Sequence, residues 1–328
     1  MARSRFSEER PAVTPPRAVA DLAELGVGRS RLRVRTRWRR SSRGWYVPAA
    51  ESITPTQRII DCVPLLGAGM AIGGWAAAYI LGADWLDGYD ARTGRLLPVD
   101  ILGAPHRRPV PGVRYHQTVL PSAEVMVHRR IPITFGVRTA FDGARWSADL
   151  EEAVVFVEAM LAKTYLTNDQ LNAFIVRQRG ATGIGRAREV FELARPGVRS
   201  GWESRLRWCY CREAGLPQPL INRPVYTRSG ALLGKPDLFD PEAALATEFD
   251  GEGHRDRWQH HNDNLREELF EDHNVTVVRS DSLDFRAARD GLIQRVIAGY
   301  RRGLERHLSK DRWTLTPPGW APSEHPES

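Results

Sequence analysis

Three carboxylates and one imidazole lie within eighteen residues of the chain, at Asp237, Glu248, Asp250 and His254. The short apolar runs on either side of 240–242 predict a β-hairpin, because the Asp and Pro there favour a turn. In that hairpin Asp237 lies roughly opposite Glu248, and Asp250 shares the face of Glu248 because strand residues i and i+2 project to the same side. Carboxylates held so close need a cation between them or raise one another's pKa, and Mg²⁺ prefers a few carboxylate oxygens with water and phosphate as its other ligands. The spacing therefore predicts a divalent-metal site for a phosphodiester; acidic residues that only decorate a hairpin are the alternative.

The imidazole adds a group that titrates near neutral pH. His254 follows the bend at Gly251-Glu252-Gly253, and a histidine there can pass protons to and from water. A metal at the carboxylates would polarise the phosphate, generate the attacking hydroxide and stabilise the leaving oxygen. We therefore expect Asp237, Glu248, Asp250 and His254 to form one catalytic set.

Three sequence segments around these residues form a recognisable pattern. GKPDLF at 234–239, ATEFDGEGH at 246–254 and WESRLRWC at 202–209 resemble the PD-(D/E)XK nuclease superfamily, in the branch related to very-short-patch-repair endonucleases. The resemblance covers about 201–285 and implies a restriction-endonuclease-like α/β/α core with Mg²⁺ or Mn²⁺ as cofactor. It makes Asp237 and Glu248 metal ligands and Glu203 a third, helix-borne acid.

The resemblance also shows one departure from the superfamily pattern. The position of the usual lysine is occupied by Asp250, which removes the expected cation beside the attacking water. His254 is the candidate replacement, since histidines assist hydrolysis near this point in the related branch. Lys235 precedes the aspartate and can approach a phosphate, and Arg266, on a predicted helix, matches a basic residue that faces the site in related proteins. A solvated helix arginine is the alternative for Arg266.

The N-terminal region is strongly basic. Eight arginines lie among the fifteen residues 29–43 of a chain whose formal charge is +7 and whose pI is about 9.6. A basic face costs self-repulsion and is most simply explained by a polyanion, because each phosphate that it neutralises releases counterions. The predicted DNA contacts are Arg29, Arg31, Arg33, Arg35, Arg37, Arg39, Arg40 and Arg43.

The order of elements around these arginines supports the same interpretation. A short amphipathic helix at 19–25 closed by Gly26, a second helix at 29–35, and strands at 37–40 and 44–48 are predicted. With Arg43-Gly44-Trp45-Tyr46 on the second strand, the segment 18–48 resembles the winged helix-turn-helix of abortive-infection antitoxins of the AbiEi type, which implies DNA binding. Two alternatives stay open: a strand, because the arginines alternate from 31 to 39, and a merely solvated basic face.

The residues between these regions predict structure rather than chemistry. Strands are expected at 99–102, 113–120 and 125–128, and a strand that leads into a helix at 131–142. The twenty-two uncharged residues 62–83 are long enough for a membrane span, but five glycines and a proline favour a buried helix at about 73–81. We therefore expect a multidomain α/β (α+β) protein, divided into a disordered tail (1–16), a winged helix-turn-helix (17–50), a middle α/β domain (51–145), a helical linker (146–198), a nuclease-like domain (199–308) and a second disordered tail (309–328).

Two classes of function follow from these features. The first is a Mg²⁺-dependent DNA endonuclease in repair, restriction or phage defence; the second is a DNA-binding transcriptional regulator or antitoxin-like protein whose nuclease fold does not cut. RNA cleavage is a third option. With three cysteines and no apolar leader segment, we expect a cytoplasmic protein that is nucleoid-associated when bound to DNA, with no membrane partner. A homodimer and a protein toxin stay open as partners.

Overall fold

The computed structural model describes residues 13–103, 105–164, 166–251 and 267–319. The chain is a mixed α/β protein that divides into two compact units, 1–143 and 144–328. The helical segment 146–198, which the sequence suggests as a linker, belongs to the second unit.

The arginine-rich segment folds as two short helices followed by a small antiparallel sheet. Leu22 and Leu32 are the buried residues of the two helices. The second helix ends at Leu32 instead of continuing to 35, because the backbone turns over 33–37 before the next strand. The period-two strand over 31–39 is therefore not formed. The elements are α1 (Val19–Glu24), α2 (Arg29–Leu32), β2 (Trp38–Ser42) and β3 (Trp45–Pro48), with β1 (Arg17–Ala18) paired to β3.

The rest of the first unit is built on a five-stranded mixed sheet of order β6-β5-β4-β8-β7. The strands predicted at 99–102 and 125–128, the strand that leads into a helix at 131–142 and the buried helix at about 73–81 are confirmed, whereas the strand predicted at 113–120 ends at His116. Gly74, the first residue of α4, has a φ of +55° and lies so close to the Asp100 side chain that there is no room for a Cβ. Within the described ranges, no helix has the length and apolar character needed to cross a membrane. The elements are α3 (Pro55–Cys62), β4 (Ala71–Gly73), α4 (Gly74–Leu81), β5 (Val99–Leu102), β6 (Val113–His116), β7 (Val125–His128), β8 (Ile131–Thr134) and α5 (Gly136–Trp146).

Several helices of the second unit are capped by the side chain of the residue that precedes them. The side chains of Asp149, Thr167 and Ser200 each accept a backbone N–H from the first turn of the helix that follows. Residues 267–272 are also helical. The helices with complete bounds are α6 (Leu150–Lys163), α7 (Asn168–Arg177), α8 (Ile184–Leu193), α9 (Gly201–Trp208), α10 (Ser282–Ala287) and α11 (Arg289–Leu304).

A four-stranded sheet of order β14-β13-β12-β9 forms the centre of the second unit. The predicted hairpin is confirmed: β12 and β13 are antiparallel, and Asp240 Oδ1 accepts the N–H groups of Glu242 and Ala243 in the turn. The pairing of β13 with β14 is parallel. The strands are β9 (Leu220–Ile221), β12 (Leu238–Asp240), β13 (Leu245–Phe249) and β14 (Thr276–Ser280).

Both faces of this sheet are covered, because neighbouring residues of a strand point to opposite sides. Leu238 and Leu245 pack into a cluster with Leu206 of α9, whereas Phe239 and Ala246 belong to a second cluster. The second cluster includes Phe270 of the helical segment 267–272, Val225 of β10 (Val225–Thr227) and Val275, the residue just before β14. The hairpin is therefore held in a fixed position from both sides.

The C-terminal segment differs from its sequence expectation. The sequence places 309–328 in a disordered tail, but β15 (Trp313–Thr314) pairs with β10 (Val225–Thr227), which also pairs with β11 (Leu232–Gly234). The Trp313 ring meets Phe239 edge to face, with centroids 5.1 Å apart. At the other end, Thr14 of the predicted N-terminal tail donates hydrogen bonds to Gln57 and Glu51. Short polar segments at both ends are thus ordered by distant partners that sequence periodicity does not reveal.

Candidate functional site

Asp237 and Glu248 occupy facing positions at one end of the central sheet. Leu238 pairs with Thr247, so the next residues outward along the two antiparallel strands are Asp237 and Glu248. Asp237 Oδ2 accepts the N–H of Phe249 at 2.8 Å, which fixes the carboxylate beside the end of β13. Glu248 is 5% exposed. The structure therefore brings together the two acids on which the sequence argument depended.

Asp250 lies just past β13 and faces a cation that the sequence analysis did not identify. Its N–H donates to Ser280 C=O at 2.7 Å, which continues the pairing with β14. Arg279 of β14 is the register partner of Glu248, and its Nη1 lies 3.9 Å from Asp250 Oδ2. Its Nε lies 3.2 Å from Glu267 Oε2. A guanidinium from the neighbouring strand thus lies beside the residue that occupies the lysine position.

Glu203 lies in the first turn of α9, and its carboxylate is already engaged by protein donors. Its Oε2 accepts the N–H of Arg199 at 2.8 Å and Nδ2 of Asn222 at 2.7 Å, and the residue is 7% exposed. Among the described residues, no group of three or more His, Cys, Asp or Glu side chains is arranged to hold a metal ion. The expected metal set of Glu203, Asp237 and Glu248 is therefore not assembled as a three-carboxylate group.

Ion pairs to α6 fix the position of α9. Arg205 forms a forked pair with Glu152, with Nη2 2.7 Å from Oε2. Arg207 pairs with Glu158, and both residues are buried. Burial raises the pKa of Glu158, and the nearby Arg207 guanidinium opposes this rise. The helix that carries Glu203 is thus held against α6 by charged groups, which favours a defined position for the carboxylate.

The remaining predicted site residues have different outcomes. His254 and Arg266 lie outside the described residues, so their part in the site stays a prediction. Lys235 is half-buried in the connection between β11 and β12, immediately before Pro236.

The N-terminal arginines separate into two groups. Arg39 is half-buried, and its Nη1 lies 2.6 Å from Asp61 Oδ2. The other oxygen of this carboxylate, Asp61 Oδ1, accepts a hydrogen bond from Gln57 Nε2. The other seven side chains are exposed, and none of them pairs with a carboxylate in the part of the chain that the structure describes. These seven, defined as the arginine surface, are Arg29, Arg31, Arg33, Arg35, Arg37, Arg40 and Arg43.

Comparisons with known proteins give similarity without function. No family model and no solved structure matches the chain. The uncharacterized proteins MT2308 of Mycobacterium tuberculosis strain CDC 1551 / Oshkosh and Rv2248 of strain ATCC 25618 / H37Rv are similar to it. Each is 28% identical over 189 residues, which cover 55% of this chain and 64% of the relative. The chain therefore matches less than two thirds of the length of these relatives.

Proposed function

We propose that the protein binds DNA and hydrolyses its phosphodiester bonds as a Mg²⁺- or Mn²⁺-dependent endonuclease. In this proposal the second unit has a restriction-endonuclease-like core, and the first unit carries a winged-helix DNA-binding module. The observation that carries the proposal is the facing pair Asp237 and Glu248 at one end of a sheet covered on both sides. Two facing carboxylates are suited to a divalent cation that also binds phosphate.

The donor groups present fit such a cation. Mg²⁺ is usually held by one or two carboxylates together with water and substrate phosphate, rather than by a complete cage of protein ligands. Asp237 Oδ2 accepts the Phe249 N–H, and Glu248 lies opposite Asp237, so two carboxylates face each other across the hairpin. When bound, the metal would supply charge stabilisation on the phosphate and lower the pKa of a water ligand.

The chain's own side chains would perform the positioning. Asp237 and Glu248 orient the metal-binding edge, and the Phe249 N–H prevents the Asp237 carboxylate from rotating away. Arg279, beside Glu248, can turn from Asp250 to a phosphate oxygen, because a contact of 3.9 Å is longer than a close ion pair. His254 is our proposed proton carrier, and Lys235 our proposed second phosphate contact.

The arginine surface supports DNA binding through phosphates. A four-residue helix such as α2 spans about 6 Å, little more than one turn, so it presents few side chains to a major groove. The exposed residues of 29–37 are Arg, Ser, Val and Thr, without the Asn or Gln that pairs with adenine. Phosphate contacts fix the position of a protein on DNA and carry no sequence information. We infer that this module supplies affinity more than sequence recognition.

A DNA-binding regulator or antitoxin-like protein is the second candidate function. Asp250 at the lysine position, with Arg279 beside it, favours this candidate, because a cation already matched to a carboxylate offers less to a phosphate. In that case both units bind DNA and neither cuts it. The two candidates share every binding residue and differ only in hydrolysis.

The decisive experiment is a cleavage assay with supercoiled plasmid in Mg²⁺ or Mn²⁺. Asp237→Asn keeps an oxygen that can accept the Phe249 N–H and removes the charge, so it should abolish nicking while the protein stays folded. Asp290→Ala, which removes an exposed carboxylate of α11, is the matched control and should cut like the wild type. Plasmid binding without nicking in either metal would refute the endonuclease and leave the regulator. Cleavage of single-stranded RNA alone would move the proposal to a ribonuclease.

A further inference from the structure

Asn222 contacts two acidic residues of the proposed site that come from different elements, Glu203 of α9 and Asp237 just before β12. It follows β9, and its backbone N–H donates to the C=O of Asp237 at 2.9 Å. Its side-chain Nδ2 donates to Glu203 Oε2 at 2.7 Å and to Gly197 C=O at 3.0 Å. One residue thus contacts the helix-borne acid, the segment before α9 and the metal-binding aspartate.

The backbone of Asn222 is held in an uncommon conformation. Its φ is +50°, in the left-handed region that Asn tolerates better than most residues. Because Ile221 pairs with Leu238, Asn222 lies opposite Asp237, and its N–H to Asp237 C=O continues the antiparallel pairing of β9 with β12. Uncommon backbone conformations persist where the surroundings require them, and they cluster at functional sites.

The side chain also carries one unmatched acceptor. Asn222 is 7% exposed, and its Oδ1 is buried without a hydrogen bond from the described residues. The orientation of the amide follows from its neighbours: the atom that faces the oxygens of Gly197 and Glu203 must be the donor, Nδ2. Oδ1 belongs to the same amide group whose Nδ2 donates to Glu203, so this buried acceptor lies close to the Glu203 carboxylate. Such an acceptor ordinarily receives a hydrogen bond from water or from a ligand.

We propose that Asn222 is a positioning residue that couples Glu203 to Asp237 and so sets the geometry of the metal-binding edge. It acts through these two acids rather than on the phosphate itself. The inference rests on the proposed function, since a coupling between acids matters only if the acids bind a metal. It also explains how Glu203 can contribute without joining a three-carboxylate group: Asn222 links it to the metal-binding strand.

Asn274 provides a matched control within the same unit. It too has a left-handed backbone, with φ of +66°. Its Nδ2 also bridges a backbone carbonyl and a carboxylate, at 3.1 Å from His307 C=O and 2.5 Å from Asp311 Oδ1. None of these contacts involves Glu203, Asp237 or Glu248. The same substitution at the two asparagines therefore separates a general structural effect from an effect on the site.

The test compares Asn222→Gly with Asn274→Gly, because Gly accepts the left-handed backbone and deletes only the side chain. Thermal unfolding, the Mn²⁺ dissociation constant and plasmid cleavage at varied Mg²⁺ are measured for each protein. We expect similar losses of thermal stability, but about 10- to 100-fold weaker Mn²⁺ binding and slower cleavage only for Asn222→Gly, the usual effect of losing a residue that orients a metal ligand. If Asn222→Gly does not fold, Asn222→Asp, which keeps the shape and lacks the Nδ2 donor, takes its place.

The outcomes distinguish the inference from the function on which it rests. Equal Mn²⁺ affinity and equal cleavage for the two variants would overturn the positioning role and leave the endonuclease in place. A wild-type protein that neither binds Mn²⁺ nor cuts would overturn the proposed function, and the positioning role with it.

Discussion

Arg37 and Arg39 are only two positions apart, but the structure predicts that they contribute differently to DNA binding. Arg37 is exposed with no carboxylate partner among the described residues, whereas Arg39 is paired with Asp61 at 2.6 Å. Sequence pattern assigns both to DNA. We expect Arg37→Ala to weaken DNA binding in a salt-dependent way and Arg39→Ala to leave the salt dependence unchanged.

The magnitudes follow from the number of free cations. If all seven exposed arginines met phosphates, the slope of log K against log salt would reach about −6, because each phosphate contact contributes about −0.9. Arg37→Ala should make that slope shallower by about 0.9. Arg39→Ala should instead lower the free energy of unfolding by about 1–3 kcal/mol, because it leaves the carboxylate of Asp61, which is 8% exposed, without its cation.

The assay is fluorescence anisotropy of a labelled duplex across a series of NaCl concentrations, with EDTA present to prevent cleavage. Urea unfolding of the same two variants gives the stability. Equal changes of slope for both variants would show that Arg39 leaves Asp61 for the DNA and would refute the division of the arginines. No change for either variant would refute the arginine surface as the DNA contact.

Two further predictions concern buried groups of the protein. Burial raises the pKa of Cys62 and of Cys209 to about 12. A thiol reagent at pH 8 should therefore label these two cysteines slowly in the native protein and the half-buried Cys211 faster. After unfolding, all three cysteines should react. Rapid native labelling of three thiols would contradict the buried positions. Arg207→Leu leaves Glu158 buried without its cation. Burial raises the folded-state pKa of Glu158 above its unfolded value, so above about pH 4.5 the unfolded state loses this proton while the folded state keeps it. The unfolding free energy should therefore fall by about 1.4 kcal/mol per pH unit until the raised pKa is passed. A variant whose stability, relative to the wild type, does not decline with pH in urea titrations would contradict this.

The local features of the hairpin could be predicted from sequence for a physical reason. The turn residues at 240–242 and the short apolar runs beside them are local features of the chain, so the facing of Asp237 and Glu248 follows from counting outward from the turn. The helix that carries Glu203 is likewise capped by a neighbouring residue, Ser200.

Features that depend on distant pairing could not be predicted in this way. Arg279 comes beside Glu248 only because β13 and β14 are parallel and in a particular register. Asn222 reaches Glu203 and Asp237 only because β9 pairs with β12. Trp313 belongs to a strand too short for any periodicity, and its place is set by Phe239 and β10. In each case the chain supplies the residue type, and a partner far away in sequence supplies its role.

Whether the protein hydrolyses DNA or only binds it depends strongly on Arg279, which either stays paired with carboxylates or binds a phosphate. The nuclease pattern that the sequence resembles has a lysine on the strand that carries Glu248, and this chain has Asp250 at that place. The structure supplies a cation from the next strand, because the parallel register sets Arg279 against Glu248, with Nη1 3.9 Å from Asp250 Oδ2 and Nε 3.2 Å from Glu267 Oε2. Both contacts involve partly exposed groups and hold the guanidinium weakly. A phosphodiester carries the same single negative charge as a carboxylate, but its two non-bridging oxygens can accept a bidentate pair from a guanidinium, so it can compete for Arg279. Hydrolysis with Asp250 at the lysine position therefore requires Arg279 to exchange these carboxylates for the phosphate, whereas a non-cutting protein can keep both pairs.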